Sequence, residues 1–175
     1  MARKSRIGVV LVGALLVLAS PVIATAGGSG ALHADAELRN AAGDVVGWAR
    51  FTEDATGTLH VNVHVEGLSE GLHGIHIHNT GACTPSFAAA GAHHNPLGAL
   101  HGEHAGDLPN LTVNEAGVGH LDATSDGATL SAGPVSVFDA NGSALIIHAG
   151  EDDLVTNPTG NSGARIACGV IVPGF

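Results

Sequence analysis

The sequence contains no tyrosine, and aromatic residues make up only 3 % of its 175 positions. Basic residues are also scarce, with six lysines and arginines against 16 aspartates and glutamates. So few cations offer little to the phosphate backbone of a nucleic acid or to an anionic membrane surface. Nucleic acids are therefore not expected as partners. The 26 glycines and the 45 % of hydrophobic residues instead indicate one folded domain with many turns and a core of small aliphatic side chains.

The first 26 residues resemble a targeting segment. The basic start MARKSR precedes the apolar run IGVVLVGALLVLA, and small residues follow at Ala24 and Ala26. This order is typical of a secretory signal, so we expect residues 1–26 to be cleaved. Residues 27–30 would then be a short linker and residues 31–175 the domain. An uncleaved anchor is the alternative, because the run extended to Ala26 nearly reaches spanning length.

Export has consequences for charge, location and cysteine chemistry. Three of the six basic residues would leave with the signal, and no stable membrane partner is expected afterwards. The protein would act in a periplasm, at a cell envelope or outside the cell. Cys83 and Cys168 are the two cysteines of the sequence, and in an oxidising compartment we expect them to pair. Closing so long a loop could contribute ~4–5 kcal/mol, whereas two free thiols are the alternative.

Short strands with regular turns follow along the chain, and no long helical pattern appears after the signal. In LHVNVHVEG the apolar Leu59, Val61, Val63 and Val65 alternate with polar residues, which predicts a half-buried antiparallel strand. Further candidates, separated by turns rich in Gly, Asn and Asp, are DVVGWARF, NLTVN, VGHLDAT, VSVFD, ALIIHAG and ARIACGVIV. This pattern predicts an all-β sandwich or barrel.

Two segments interrupt this rhythm, residues 79–108 and 150–163, and long loops in a compact β domain are usually functional. Before the first of them, His76 and His78 share one face of a strand, opposite the core-forming Ile75 and Ile77. Neutral imidazoles so placed can bind one cation, although an H-x-H pair by itself proves little. Further candidate ligands follow at His93, His94, His101, His104, Asp107 and His148.

These side chains are numerous enough for two metal ions, and a histidine-rich surface without a site is the alternative. A dense set of histidines with an aspartate is the donor set that zinc prefers. No role is assigned to four histidines that lie alone or at alternating solvent-facing positions: His33, His60, His64 and His120. His73 falls on the opposite face from His76 and is expected to be structural.

Five segments in the same order carry a resemblance to a known family: GLHGIHIH, AGAHHNP, HAGDLPN, LIIHAGEDD and GNSGARIACGVI. Over residues 31–172 the chain resembles the copper,zinc superoxide dismutases, and the short spacing in HNTGAC is similar to exported bacterial members. The resemblance implies an eight-stranded Greek-key β-barrel with two long functional loops. It also implies a disulfide between Cys83 and Cys168 that ties the metal-binding loop to the last strand.

The resemblance also assigns roles to single residues. It implies that copper is bound by His76, His78, His93 and His148. It implies that zinc is bound by His93, His101, His104 and Asp107, so that His93 bridges the two metals. Asp152 would link His76 to His101, and Arg165 would stand beside copper as a catalytic residue together with His93. A carboxylate of this kind fixes the orientation and tautomer of a ligand ring.

The implied function is an exported superoxide dismutase that converts superoxide to O₂ and hydrogen peroxide. One-electron Cu(II)/Cu(I) cycling would drive the reaction, with zinc in a structural role, because zinc has no redox chemistry. A non-catalytic exported copper-binding or buffering protein and a copper-only dismutase are the alternatives. Family members occur as monomers and dimers, so a homodimer is possible.

Three departures from the family pattern matter. Only Gly102 and Glu103 separate His101 from His104, which puts zinc affinity in question. His94 stands where the family usually has an aromatic residue, and we expect it to be a bystander beside His93. The segment LVTNPTGNSG carries no charge, so attraction of the substrate anion would either be weaker than in the family or rest on Arg165 alone.

Overall fold

The computed structural model describes residues 32–174, so the expected signal 1–26 and linker 27–30 lie outside the described residues. Within that range, the strands are Leu32–Asn40 (β1), Val45–Glu53 (β2), Leu59–Val65 (β3), Gly71–His73 (β4), Ile75–His78 (β5), Leu111–Val113 (β6), Gly119–Ser125 (β7), Ala144–His148 (β8), Arg165–Val170 (β9) and Val172–Pro173 (β10). A 3₁₀ helix, Phe87–Ala90, interrupts the connection after β5. No helix in residues 32–174 has the length and hydropathy to cross a membrane.

The strands form one antiparallel sheet that nearly closes into a barrel. Its order is β4-β6-β7-β3-β2-β1-β9-β8-β5, and β10 pairs with β1. Gly74 separates β4 from β5, which pair with opposite ends of this order, so one bent strand joins both edges. Ile171 similarly separates β9 from β10. When each of these pairs counts as one strand, the barrel has the eight strands that were predicted.

The connections follow a Greek key. Strands β1, β2 and β3 form a meander. The chain then crosses to the edge of the sheet with β4, and β7 returns to pair with β3. In the same way β9 returns to lie beside β1. Closure of this kind removes the exposed sheet edges that would otherwise pair with other chains. The all-β Greek-key barrel predicted from the sequence is therefore confirmed.

The inward face of each strand forms the core. On β3 the alternating Leu59, Val61, Val63 and Val65 are fully buried, as their period of two predicted. Strand β1 was not predicted, yet its inward positions Ala34, Ala36 and Leu38 are also buried. On β5, Ile75 and Ile77 are buried in the same cluster. The core is thus a set of small aliphatic side chains inside the barrel, which leaves the outer face of β5 free for other chemistry.

One predicted strand was wrong. The segment VSVFD, residues 135–139, belongs to a third long connection, residues 126–143, between β7 and β8. This connection is fastened to the end of β2, because the carboxylate of Glu53 accepts hydrogen bonds from the backbone N–H groups of Leu130 and Ser131 at 2.5 and 2.7 Å. The Ser131 hydroxyl donates a third bond to Glu53 at 2.7 Å. The two loops that were predicted appear as residues 79–110 and 149–164.

Candidate metal centre

Strand β5 presents two histidines outward beneath the loop of residues 79–110. His76 and His78 are fully buried although they face away from the core. The loop covers them by running alongside β5, where Asp107 forms a bridge with His76 and His93 forms one with His78. Backbone hydrogen bonds fix this cover, from Ile77 N–H to the Gly106 carbonyl at 2.9 Å and from His94 N–H to the Ile77 carbonyl at 2.8 Å. Residues far apart in sequence are thereby brought to one buried place.

Two groups of four side chains converge there. We call the first the histidine quartet, and it consists of His76, His78, His93 and His148. We call the second the mixed quartet, and it consists of His93, His101, His104 and Asp107. Within each quartet, one ligand atom from every residue lies within 4.8 Å of the others. His93 belongs to both, so the two candidate sites share one imidazole.

Buried nitrogens without a hydrogen-bond partner point to what the quartets hold. Among the described residues, such nitrogens are His76 Nδ1, His78 Nε2, His93 Nε2, His101 Nδ1 and His148 Nε2. Buried polar atoms are almost always hydrogen-bonded, and leaving one unpaired costs free energy. Every one of these five nitrogens belongs to a quartet residue. A cation at the centre of each quartet would satisfy them, so the donor sets fit metal ions.

In three rings of the histidine quartet, one nitrogen donates a hydrogen bond, and this leaves the other nitrogen free to bind a metal. His78 Nδ1–H donates to the Gly91 carbonyl at 2.9 Å, and His148 Nδ1–H donates to the Gly163 carbonyl at 3.1 Å. His76 Nε2–H donates to Asp152 at 2.5 Å. Such partners select one tautomer and turn the opposite lone pair toward the centre. Loop carbonyls and one carboxylate therefore orient the three rings.

Burial keeps these three rings neutral. Loss of solvent, followed by the proximity of His93, lowers the pKa of His76 to about 3. Burial lowers the pKa of His78 to about 2, although its bond to Gly91 opposes the change. Burial lowers the pKa of His148 as well. A neutral imidazole is the form that binds a metal, so the quartet is in its ligating state at neutral pH.

The mixed quartet gathers around one carboxylate. Asp107 Oδ1 lies 2.9 Å from His93 Nδ1 and 3.2 Å from His104 Nδ1, and Asp107 Oδ2 lies 3.4 Å from His101 Nδ1. Burial would raise the pKa of Asp107, but the bonds from His93 and from the Gly102 N–H hold it well below its usual range. The carboxylate is therefore charged, and three nitrogens with one oxygen form a zinc-type donor set. The two-residue spacer between His101 and His104 still brings both rings together.

Asp152 connects the two quartets. Its carboxylate accepts hydrogen bonds from His76 Nε2–H at 2.5 Å and from His101 Nε2–H at 2.8 Å. Burial would raise the pKa of Asp152, but the bonds from His101 and His76 lower it, so the group is ionised. The geometry matches the linking position expected for Asp152. Rotating either ring would break a bond to the same carboxylate, which couples the orientation of one quartet to the other.

Two residues that the sequence did not suggest hold Asp152 in place. The Asn110 side chain donates to the Asp152 carbonyl and accepts from the Asp152 N–H, both at 2.8 Å. Gly160 lies against the carboxylate, where a Cβ would be 1.8 Å from Asp152 Oδ1 and 2.5 Å from His101 Nε2. Its φ of +59° also favours glycine. Neither residue carries metal-binding chemistry, so no sequence pattern marked them.

Arg165 and the disulfide fasten the loop of residues 79–110 to β9. Arg165 pairs with His148 across β8 and β9, and its guanidinium donates to the Phe87 and Gly91 carbonyls at 2.6 and 2.5 Å. Burial lowers the pKa of Arg165, yet arginine stays charged at neutral pH. The predicted disulfide is confirmed, since Cys83 and Cys168 are joined. The Gly91 carbonyl thus serves both Arg165 and a ring of the histidine quartet.

Two further buried histidines lie outside both quartets. His73 Nδ1 is 2.7 Å from the His148 carbonyl and its Nε2 is 2.9 Å from the Ser69 carbonyl, so the ring joins β4 to its neighbours. His94 Nε2–H donates to the Val135 carbonyl at 3.2 Å and connects two loops. Both residues form hydrogen bonds to backbone carbonyls and contribute no ligand atom to either quartet.

Comparison with known proteins identifies the family. Residues 45–171 match the copper/zinc superoxide dismutase (SODC) family. Superoxide dismutase [Cu-Zn] 2 of Aquifex aeolicus is 39 % identical over 171 residues, covering 93 % of this chain and 96 % of that protein. Superoxide dismutase [Cu-Zn] of Deinococcus radiodurans is 40 % identical over 154 residues, covering 77 % and 81 %.

Solved structures agree with this assignment. A SOD-like protein from Bacillus subtilis superposes with a TM-score of 0.75 at 37 % identity, over 79 % of this chain and 97 % of that one. The barrel, the order of the sequence motifs and the matched length all point the same way, and the chain belongs to the copper/zinc superoxide dismutase family.

Proposed function

We propose that the protein is an exported superoxide dismutase that binds copper in the histidine quartet and structural zinc in the mixed quartet. The observation that carries this proposal is the set of five buried, unpartnered imidazole nitrogens around two donor groups that share His93. A storage protein has no need of a shared ring, whereas a reaction that moves an electron and a proton at one place does.

The donor sets support the choice of metals. Imidazole nitrogens suit copper, which when bound supplies a one-electron redox couple of moderate potential. Three nitrogens and a carboxylate oxygen suit zinc, which has no redox chemistry. The charged Asp107 stands in the mixed quartet alone, so the harder donor is on the zinc side. The assembled His101, His104 and Asp107 favour this assignment over a copper-only dismutase.

His93 is the proposed proton carrier. Its Nε2 faces the histidine quartet without a partner, whereas its Nδ1 lies 2.9 Å from Asp107. Conversion of two superoxide ions to one O₂ and one hydrogen peroxide consumes two protons. His93 Nε2 delivers one of them and water delivers the other, while contacts at Nδ1 keep the ring in place. General acid catalysis by a positioned histidine in this manner is common.

Arg165 is the proposed anion guide. Residues 32–174 contain three basic residues, Arg39, Arg50 and Arg165, against 16 acidic ones, so the protein as a whole repels an anion. Arg165 lies next to His148 across the sheet and stays charged, which makes the local potential positive at the histidine quartet. Local charge of this kind raises the rate at which a small anion arrives.

A second candidate function is a non-catalytic copper-binding protein. The chain is also similar to superoxide dismutase-like protein YojM of Bacillus subtilis, which is 39 % identical over 145 residues and whose name states likeness alone, so activity has to be measured on this chain itself. Export is likewise proposed from the sequence of residues 1–26, and N-terminal sequencing of the protein recovered outside the cytoplasm would test cleavage after Ala26.

The deciding experiment measures metal content and activity on one sample. Protein loaded with copper and zinc is analysed by mass spectrometry for both metals and then assayed for superoxide consumption. We expect one copper and one zinc per chain with activity, and His101→Gln should lose zinc while retaining copper. Bound copper without activity would establish the copper-binding alternative, and full activity of zinc-free protein would establish the copper-only one.

A further inference from the structure

The half-buried His64 and the exposed His120 form a close pair on the outer face of the barrel. His64 on β3 and His120 on β7 are direct cross-strand partners on the outward face. Their ring centroids are 4.4 Å apart, and His64 Nδ1 lies 3.1 Å from His120 Nε2 and 3.3 Å from His120 Nδ1. The alternation of β3 correctly placed His64 outward, but no sequence pattern indicated that His120, 56 positions later, lies beside it.

The spacing of these nitrogens suits one shared cation. Imidazole nitrogens bind first-row metals at about 2.0–2.1 Å, so two of them at a right angle around one ion are about 3 Å apart. In the structure a hydrogen bond joins the two rings at nearly this separation, so a bound ion would replace the proton that they share. Because both rings are on the surface, rotation of the His120 ring can present either of its nitrogens to the same point.

Glu66 decides which nitrogen His64 presents. Glu66 Oε1 lies 3.2 Å from His64 Nε2, so this nitrogen donates to the carboxylate and the lone pair is left on Nδ1, which faces His120. A carboxylate behind a histidine is the arrangement that orients metal-binding rings in proteins. The three residues therefore form a carboxylate–histidine pair with a second histidine already in position.

The surroundings are open to a cation. Arg50, on the neighbouring strand β2, is engaged with Asp35 at 3.2 Å. In the sheet order β6 separates β7 from the edge strand β4, and no residue of either quartet lies on β3 or β7. A metal at His64 and His120 would thus be held independently of the buried sites.

We propose that His64 and His120 form a surface site for a divalent transition-metal ion, with Glu66 orienting His64. Two imidazoles with solvent in the remaining positions bind copper(II) more tightly than nickel(II) or zinc(II), following the usual order for nitrogen ligands. The site exchanges its ion with solution, unlike the buried quartets. It would give the protein a third metal site and a second place for copper, outside the sites used for dismutation.

Trp48 provides a direct test, because it is the single tryptophan of the sequence and the cross-strand partner of His64 on the same outward face. Bound copper(II) quenches a nearby indole. Full-length protein already loaded with copper and zinc is titrated with additional copper(II), and Trp48 fluorescence is recorded. His60→Gln is the matched control, because His60 is exposed on the same face of β3 and contacts Asp54 instead.

We expect saturable quenching by one further copper(II) per chain. His64→Gln and His120→Gln should each weaken this binding at least tenfold, Glu66→Gln should weaken it less, and His60→Gln should leave it unchanged. Absence of saturable quenching, or equal affinity of the His120→Gln and His60→Gln proteins, would overturn the proposal. Neither result depends on dismutase activity, so the outcome stands apart from that of the proposed function.

Discussion

The chemistry of each histidine depends on which ring nitrogen is left free. His76 donates through Nε2 to Asp152 and keeps Nδ1 for the centre, whereas His78 donates through Nδ1 to Gly91 and keeps Nε2. The same residue type on one strand thus presents different atoms to one site. The family resemblance predicted that these residues are ligands, but the choice of nitrogen depends on partners contributed by distant loops.

Arg165 gives the first prediction at the residue scale. Replacing it with alanine removes the positive charge beside the histidine quartet, so kcat/KM for superoxide should fall, on the order of tenfold at low salt. The dependence of kcat/KM on ionic strength should also weaken, because screening acts on the charge that has been removed. Stopped-flow measurement of superoxide decay at several salt concentrations checks both effects.

Two variants make this measurement specific. Arg165→Lys retains the charge but not the paired bonds to the Phe87 and Gly91 carbonyls, so it should keep most of the salt dependence. Arg50→Ala removes an exposed arginine that pairs with Asp35 on β1 and should change little. If Arg165→Ala and Arg50→Ala gave the same salt dependence, guidance by Arg165 would be ruled out.

At the scale of elements, alternation predicted strands well where the alternating residues are large. β3 carries Leu59 and three valines inward, and its period of two was plain in the sequence. β1 uses Ala34 and Ala36 at the corresponding positions, and alanine has low strand propensity, so this strand was not predicted. In VSVFD the local pattern suggested a strand, but the bonds to Glu53 hold the neighbouring chain as a loop.

The supporting contacts of the site were less visible in the sequence than its ligands. His76, His93 and Asp107 belong to residue types that bind metals, and family motifs place them in order. Asn110 holds Asp152 across 42 positions, and Gly91 acts through its carbonyl alone. Amide clamps and backbone acceptors depend on the folded path of a loop. They leave no spacing pattern by which the sequence could reveal them.

Glu53 gives a prediction about the connection of residues 126–143. Burial would raise the pKa of Glu53, but the bonds from Ser131 and from the Leu130 N–H lower it overall. A carboxyl group whose pKa is lower when folded stabilises the protein above its unfolded pKa of about 4.3, and this is lost as pH falls through the folded value. Glu53→Gln should therefore reduce the free energy of unfolding at pH 7 by about 1–2 kcal/mol.

The pH dependence of the free energy of unfolding separates the contribution of the Glu53 charge from that of its shape. Denaturant unfolding of metal-free protein should show a difference between wild type and Glu53→Gln at pH 7 that shrinks below about pH 4. Glu70→Gln, at an exposed glutamate between β3 and β4, should match wild type at both pH values. A deficit of Glu53→Gln that persisted unchanged at pH 3 would mean that ionisation of Glu53 contributes nothing.

At the scale of the whole molecule, the metal centre lies on the outside of a barrel that is already closed. The core is filled by aliphatic residues of the inward faces, whereas the histidine quartet joins β5 and β8 to the loop of residues 79–110, and the mixed quartet lies within that loop. Asp152 adds the loop of residues 149–164, and the disulfide adds β9. We therefore expect the barrel to form without metals, while bound ions would add to the hydrogen bonds that already hold the two loops.

This arrangement predicts the effect of metal removal. Ions that bind the folded state alone stabilise it by about 4 kcal/mol when they are present at a thousand times their Kd. For a domain of this size each kcal/mol shifts Tm by about 2–8 °C, so chelation of both metals should lower Tm by at least about 10 °C. Calorimetry of loaded and chelator-treated protein measures the difference, and circular dichroism should show the β-barrel intact below the lower Tm.

The His101→Gln variant measures how much of the fall in Tm on chelation comes from the mixed quartet. His101→Gln removes a ring that contacts both Asp107 and Asp152, so its zinc-dependent share of the Tm increase should disappear while the copper-dependent share remains. His60→Gln, on the opposite wall of the barrel, should respond to both metals as the wild type does. Equal Tm values with and without added metal would mean that the ions do not bind the folded protein in preference to the unfolded chain, and metal binding by the two quartets would be ruled out.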